Sequence, residues 1–457
     1  MKMNCIVVCF DTLRHDAVFT DLASTPNLDR LVDRSIVFDN AWGEGEPTIP
    51  FRRAAMTGRR SFPWRYHIGD RGSTPNLLGW HAIPEDQTTL AEYLFQRGYL
   101  TGLITDVWHM FKPTMNFHRG FVSWDLIRGQ EADVQVVTSE AGLDPEIPVP
   151  YQMQVLNRTK EEQYFVAQVF QRASEWVKAN VDNGPFFLWV DSFSPHELWD
   201  PPKEYADAYY SAPHVRDYLA PFQLNDRNPS TDEIERTKAL YQGYVTFCDR
   251  WFGHFLDTLI ESRLLENTLL IVLSDHGTEL WDKGRFGKTE SRLHPYNTKM
   301  NWIMHHPTYS TGAGTTRINA FVQNHDLVPT ILDALDIPHA PLDGHSLWQL
   351  VNNPEMHVRD YVITGWNEYA CVRDNEWALS MNTVRPDNDL RLYSLRDDPE
   401  ESKNVADRYP DVVATFRTRL EALVGGPMPV QYVHRPARGL GATYGQLRAI
   451  RRELGMQ

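Results

Sequence analysis

As far as about residue 345, two kinds of hydrophobic pattern alternate along the chain. Short continuous apolar runs occur at Cys5 to Phe10, in the stretch ending near Ile104, at 186 to 190 and at Leu269 to Val272. Runs this short and this apolar predict strands buried on both faces. Between them lie longer stretches with apolar residues three and four positions apart. "STPNLDRLVDRSIVF" predicts a helix with Pro26 near its first turn and Leu28, Leu31 and Val32 on one face. "TTLAEYLFQRGYLTGLITD" predicts a helix passing through Gly98 into a strand. "EEQYFVAQVFQRASEWVKA" places Val166, Val169, Phe170, Ala173, Trp176 and Val177 at helical spacing. A long helix over roughly 232 to 265 carries Leu240, Tyr244, Cys248, Trp251, Phe255 and Leu259 along one stripe. Buried strands separated by amphipathic helices predict an α/β fold, a large mostly parallel sheet sandwiched by helices.

Beyond about 345 the pattern changes. "YVITGW", "YACVRD", "EWALSMN" and "LRLYSL" are short strand-like pieces separated by polar turns, with a helix near 409 to 424. The expected division is a catalytic α/β domain over 1–345, a small C-terminal α+β subdomain with an antiparallel sheet over 346–430, and a tail over 431–457. Leu447, Ile450 and Leu454 give the Arg-rich tail one apolar helical face. That face would pack on its own chain or on a second copy in a homo-oligomer.

Composition narrows the partners. The 457 residues are 42% hydrophobic, enough for a large core, and the net charge of -15 argues against nucleic acid. No apolar run approaches 18 residues, so no membrane span is expected. The first apolar run is short and passes straight into Asp11, unlike a signal peptide. Cys5, Cys9, Cys248 and Cys371 include no CxxC pair and read as reduced, buried thiols. A cytoplasmic enzyme is the expectation.

Three predicted strands end in acids: Asp11, Asp191 and Asp275. In parallel α/β sheets, sites form outside the carboxyl ends of the strands. Asp275 and His276 stand side by side, and a carboxylate with an imidazole suits Zn²⁺ or Mn²⁺. Taken alone, the pair fits a buried or surface Asp-His contact equally well.

"CFDTLRHD", "STPNLDRL", "TIPFRRAAMTGR", "RGYLTGLITD", "SDHG" and "GKTE" occur in the order seen in the alkaline phosphatase/sulfatase superfamily. The chain resembles its sulfatase-like branch from residue 4 to about 345, and "LRLYSLRDDPEESKNVA" resembles the closing segment of that family. The resemblance implies that Asp11, Asp275 and His276 are metal ligands. It also implies that Lys288 binds the transferred anionic group and that His196 contacts that group or the leaving oxygen. Some members carry an Asp-Asp pair where this chain has Asp11-Thr12. That single aspartate is similar to phosphonate monoester hydrolases and their phosphodiesterase relatives.

The nucleophile segment departs furthest. Sulfatases carry Cys-x-Pro-Ser-Arg before a stretch ending Thr-Gly-Arg. Anchoring on "AAMTGR" puts Arg52 at the motif arginine, Pro50 at the proline, Phe51 in place of the serine and Thr48 in place of the cysteine. Threonine cannot form the formylglycine aldehyde, but its hydroxyl can attack phosphorus. The implied activity is hydrolysis of phosphate or phosphonate mono- or diesters through a covalent phosphothreonine on a metal-activated Thr48. Arg52, Lys288 and His196 would face the charge on the transferred group. One divalent ion is expected, Zn²⁺ or Mn²⁺ ahead of Ca²⁺, held by Asp11, Asp275, His276 and Thr48. The alternatives are a sulfuric ester hydrolase that does not use formylglycine and a noncatalytic anion-binding protein.

His109 and His294 are further candidates for the catalytic pocket. His109 would otherwise pack beside Trp108 and Phe111. Glu46 reads as a solvated loop acid or a group behind the nucleophile. A small anionic ester is the expected substrate, its leaving group held by loops 60–80, 106–118 and 196–232. Trp64, Tyr66, Trp108, Phe111, Trp199 and Tyr205 supply the aromatic content of those loops.

Overall fold

The computed structural model describes residues 2–68, 77–112, 114–309, 314–436 and 442–456. Its centre is an eight-stranded sheet. In spatial order the strands are Thr316–Ile318, Ile36–Phe38, Trp302–His305, Thr268–Ser274, Asn4–Phe10, Phe186–Ser192, Leu100–Thr105 and Ser123–Leu126. Asn4–Phe10 runs parallel to both neighbours, and Trp302–His305 runs antiparallel to both of its own. The architecture is the α/β sheet expected from the alternating pattern, and every residue of the three central strands is buried.

Because side chains alternate across a strand, Asn4–Phe10 feeds two cores. Ile6, Val8 and Phe10 pack with the helices Phe165–Asn180 and Thr231–Glu261. Cys5, Val7 and Cys9 point to the opposite face, toward residues of Ile49–Thr57 and Leu327–Ala334. The long helix starts at a reciprocal cap. Ser230 Oγ accepts from Glu233 N, and the Glu233 carboxylate accepts from Ser230 N. All six stripe residues from Leu240 to Leu259 are buried. The helix stops at Glu261, four residues before the expected end, where Arg263 takes a left-handed conformation. All four cysteines are free and buried. Among the described residues no helix is long and apolar enough to cross a membrane.

The C-terminal sheet has the order Arg391–Ser394, Trp377–Asn382, Tyr369–Arg373, Val362–Trp366 and Gly45–Glu46. The first four are antiparallel neighbours, and the helix Pro410–Val424 packs with them. The fifth comes from the segment just before Thr48 and pairs in parallel, Gly365 with Gly45 and Trp366 with Glu46. This sheet therefore braces the loop that carries the candidate nucleophile. The tail forms the helix Tyr444–Glu453, tied to Glu140 through Tyr444 and Arg448. Leu447, Ile450 and Leu454 are 41%, 52% and 68% exposed, so a large part of the apolar face is open to solvent.

His15 opens the short helix after the first strand, with its Nε2 buried and without a hydrogen-bond partner among the described residues. Burial, with help from Lys299 and Arg317, lowers its pKa to about 3. The folded form thus resists protonation, while the unfolded chain takes up a proton near pH 6.5. This contribution is intact above pH 6.5 and is lost as pH falls toward 3. His15→Phe keeps a ring against Phe19. It should match the parent in thermal stability at pH 7.5 and exceed it by about 2 kcal/mol at pH 5. Melting curves across pH 4.5–8 check this, and a pH-independent difference would reject it.

Candidate active site

Register brings the strand-end acids together. Phe10 pairs with Ser192 on one side and Ser274 on the other, so Asp11 and Asp275 emerge side by side. Asp191, one residue earlier in its strand, pairs with Cys9 and Thr105. Asp11, Asp275 and His276 are fully buried, with one ligand-type atom of each within 4.8 Å of the others. His276 Nε2 lies 3.6 Å from Asp11 Oδ1 and 3.5 Å from Asp275 Oδ2.

The histidine is held as a neutral ligand would be. Its Nδ1 is 2.8 Å from Gly277 O, which leaves Nε2 to face the carboxylates. Burial lowers its pKa to about 3, against the charge of Asp11. Nε2 and Asp11 Oδ2 have no hydrogen-bond partner among the described residues. Two carboxylates and an unpartnered imidazole nitrogen, all dry, fit a divalent cation. Burial, followed by the charge of Asp275, raises the Asp11 pKa, a cost that a cation would remove. Gly277 follows for a steric reason: a Cβ there would lie 2.1 Å from Tyr296 O.

Arg52 is the buried counter-charge. Its Nη1 is 3.1 Å from Asp11 Oδ2, 2.7 Å from Asp275 Oδ2 and 3.1 Å from Thr48 O. Its Nε and Nη2 grip Asp191, whose Oδ2 also accepts from Trp189 Nε1. Asp191 thus anchors the arginine. The helix carrying Arg52 begins at Ile49, and Pro50 fits its first turn. Arg52 therefore lies inside the helix and Thr48 is its N-cap. Thr48 does not act as a capping side chain: it makes no cap bond, and its hydroxyl has no hydrogen bond to any described residue. Its φ of 35° is a strained value for a β-branched residue.

Lys288 and His196 meet through Glu197. Lys288 Nζ bonds the Glu197 carboxylate and lies 3.3 Å from Thr12 Oγ1, while His196 Nδ1 is 3.3 Å from Glu197 Oε2. Burial opposes charge on Glu197, but Lys288 and His196 outweigh it and bring its pKa down to about 2. Thr12, where some members of the superfamily carry a second aspartate, donates Oγ1 to Asp11 (2.8 Å) and its N–H to Asp275 (2.9 Å). Sequence reasoning missed both Glu197 and Thr12. Glu197 adjoins His196 and Thr12 adjoins Asp11, and that adjacency was the available signal.

The other candidates make their hydrogen bonds outside the Asp11, Asp275 and His276 cluster. His109 is buried against Trp80, Trp108 and Phe193, with Nε2 2.8 Å from Glu131. His294 turns away, its Nδ1 2.8 Å from Glu401, which also pairs with Arg373 of the small sheet. Asp106 ties two loops by accepting from Phe193 N and Gln130 Nε2, and burial raises its pKa to about 7. Glu46 is not a solvated loop acid: it is fully buried, and its two carboxylate oxygens have no hydrogen-bond partner among the described residues. Of the aromatic residues expected around the leaving group, Trp64, Trp108 and Trp199 are core residues instead. Residues 69–76 of the 60–80 loop lie outside the described residues.

An acidic cluster able to hold a cation thus sits at the carboxyl ends of a mostly parallel α/β sheet, with Lys288 and His196 beside it. The chain belongs to the Sulfatase family, whose profile matches residues 3–337. It is 25% identical over 468 residues to a sulfatase of Formosa agariphila, covering 92% of this chain and 85% of that protein. Its fold is similar to the phosphonate monoester hydrolase of Agrobacterium radiobacter, with a TM-score of 0.71, 18% identity and coverage of 93% and 96% of the two chains. It is also similar to a protein solved with its substrate D-glucosamine-2-N,6-O-disulfate, with a TM-score of 0.70, 18% identity and coverage of 92% and 97%.

Proposed function

We propose that this chain hydrolyses phosphate or phosphonate esters, with Thr48 as the nucleophile. The observation that carries this reading is the Thr48 hydroxyl. It is uncommitted, on a strained backbone, at the N-terminus of a nine-residue helix, and its carbonyl shares Arg52 Nη1 with Asp11 and Asp275. Asp11, Asp275, His276 and Thr48 Oγ would hold one divalent ion, Zn²⁺ or Mn²⁺ suiting a mixed carboxylate and imidazole set. Such an ion supplies Lewis-acid stabilisation of the transferred group and lowers the pKa of a hydroxyl beside it.

Thr48 gives its hydroxyl proton to solvent, and its Oγ bonds to phosphorus as the bond to the leaving oxygen breaks. Lys288 neutralises a non-bridging oxygen, and His196 delivers a proton to the departing oxygen. Arg52 holds Asp11 and Asp275 in place and keeps the nucleophile loop against them. The helix N-terminus directs N–H groups toward the anion. Water then attacks phosphorus, giving a proton to His196, as the Thr48 Oγ–phosphorus bond breaks and Oγ takes up a proton from solvent.

The family match favours a second reading, sulfuric ester cleavage without formylglycine. Aryl esters of phosphate, phenylphosphonate and sulfate that share one leaving group, assayed with Zn²⁺, Mn²⁺ and Ca²⁺, separate the two. The phosphorus esters should exceed the sulfate in kcat/KM by at least about tenfold. A sulfate preference would replace the first reading with the second.

A further inference from the structure

Beside Lys288 and His196 opens a cavity of about 460 Å³, room for a leaving group. Pro148, Pro150, Leu198, Phe222 and Phe286 make its walls apolar. Two acids reach it, and both are already paired: Glu131 with His109 and Trp108, and Glu197 with Lys288. Arg285 lines the same cavity. Over residues 279–292 the other cations are committed: Lys283 to Glu400 O and Ser402, Lys288 to Glu197, and Arg292 to Glu279. The Arg285 guanidinium meets no hydrogen-bond or ion-pair partner among the described residues.

The Arg285 side chain is exposed, but the backbone that carries it is held: Arg285 O accepts from Trp281 N at 2.7 Å. Asn225 clamps the next residue from both sides, Oδ1 accepting from Phe286 N (2.8 Å) and Nδ2 donating to Phe286 O (2.9 Å). Two residues, Phe286 and Gly287, separate Arg285 from Lys288, so their Cα atoms lie at most about 11 Å apart. The apolar cavity that both residues line has room for one aromatic ring.

We infer that Arg285 is a specificity-determining residue, recognising a second anionic group at the far end of an apolar, ring-sized leaving group. The inference rests on the ester-hydrolase reading for the word "leaving", but the recognition itself is a binding property of the cavity. A guanidinium facing a carboxylate across an apolar pocket forms a two-point, charge-assisted contact that a neutral isostere cannot match.

Equilibrium binding of 4-hydroxybenzoate and of uncharged 4-hydroxybenzamide to the full chain with Mn²⁺ tests this without turnover. 4-Hydroxybenzenesulfonate separates carboxylate from sulfonate recognition. The wild type should bind at least one anion about tenfold or more tighter than the amide. Arg285→Gln should abolish that preference while leaving amide affinity unchanged, and Arg285→Lys should restore part of it. Equal binding of acid, sulfonate and amide by the wild type, or an anion preference that survives Arg285→Gln, overturns the inference. The phosphate esters of the same phenols read the chemistry separately. If they are not hydrolysed while the Arg285-dependent preference is present, the ester-hydrolase reading fails and the anion subsite stands. If they are hydrolysed and no anion preference is found, the subsite fails and the ester-hydrolase reading stands.

Discussion

Thr48→Ala should lower turnover by several orders of magnitude, as expected when a covalent nucleophile is removed. The fold should be unaffected. The Thr48 hydroxyl makes no hydrogen bond to a described residue, and alanine tolerates a φ of 35° at least as well as a β-branched side chain. Metal content should remain mostly intact, because Asp11, Asp275 and His276 are unchanged. Thr48→Ser should keep partial activity, since it retains the hydroxyl. Thr48→Cys returns the residue that sulfatases modify, but Phe51 still departs from their motif, so little formylglycine and no gain in sulfatase activity are expected. Rates, melting temperature and metal content measured side by side check the set. Full activity in Thr48→Ala would leave water as the better nucleophile.

The second large effect is expected at the metal cluster. Asp275→Asn should weaken divalent-ion binding by at least about a hundredfold, since changing even a supporting partner of a metal ligand costs 10- to 100-fold. Most activity should go with it. The carboxylate also faces Arg52 Nη1 at 2.7 Å and accepts the Thr12 N–H, so part of the loss would be structural. The asparagine oxygen can still accept one of these bonds, and Arg52 keeps Asp11 and Asp191. Titration with Mn²⁺ followed by thermal melting separates loss of the ion from loss of the fold. Normal metal content with near-normal turnover would remove Asp275 from the ligand set.

The α/β framework was legible because each central strand is buried on both faces and its residues are continuously apolar. The stripe from Leu240 to Leu259 likewise stated which side of a 31-residue helix would be covered. Asp11, Asp275 and His276 were legible because the strands deliver them to one edge in register. Three features were not. The pairing of Glu46 with Trp366 joins residues 320 positions apart through a two-residue strand, too short to carry a pattern. The helix start at Ile49 was signalled by Pro50, but the charged pair Arg52-Arg53 reads as a polar helix end rather than as buried helix interior. The role of Asp191 depends on the side-chain reach of Arg52, which no periodicity encodes. His294 shows the same limit: its proximity to Lys288 in sequence gave no hint that Glu401, 107 residues further on, would claim it.

The central claim is that a phosphoryl group passes through Thr48 Oγ. Mass spectrometry of the enzyme, acid-quenched during turnover of an aryl phosphate and then digested, tests it most directly. The account predicts a phosphoryl adduct on the peptide containing Thr48, present with the metal-loaded enzyme and missing when substrate is omitted. An adduct on a different residue, or an unmodified Thr48 peptide in a sample that is turning over substrate with release rather than transfer limiting the rate, would contradict it.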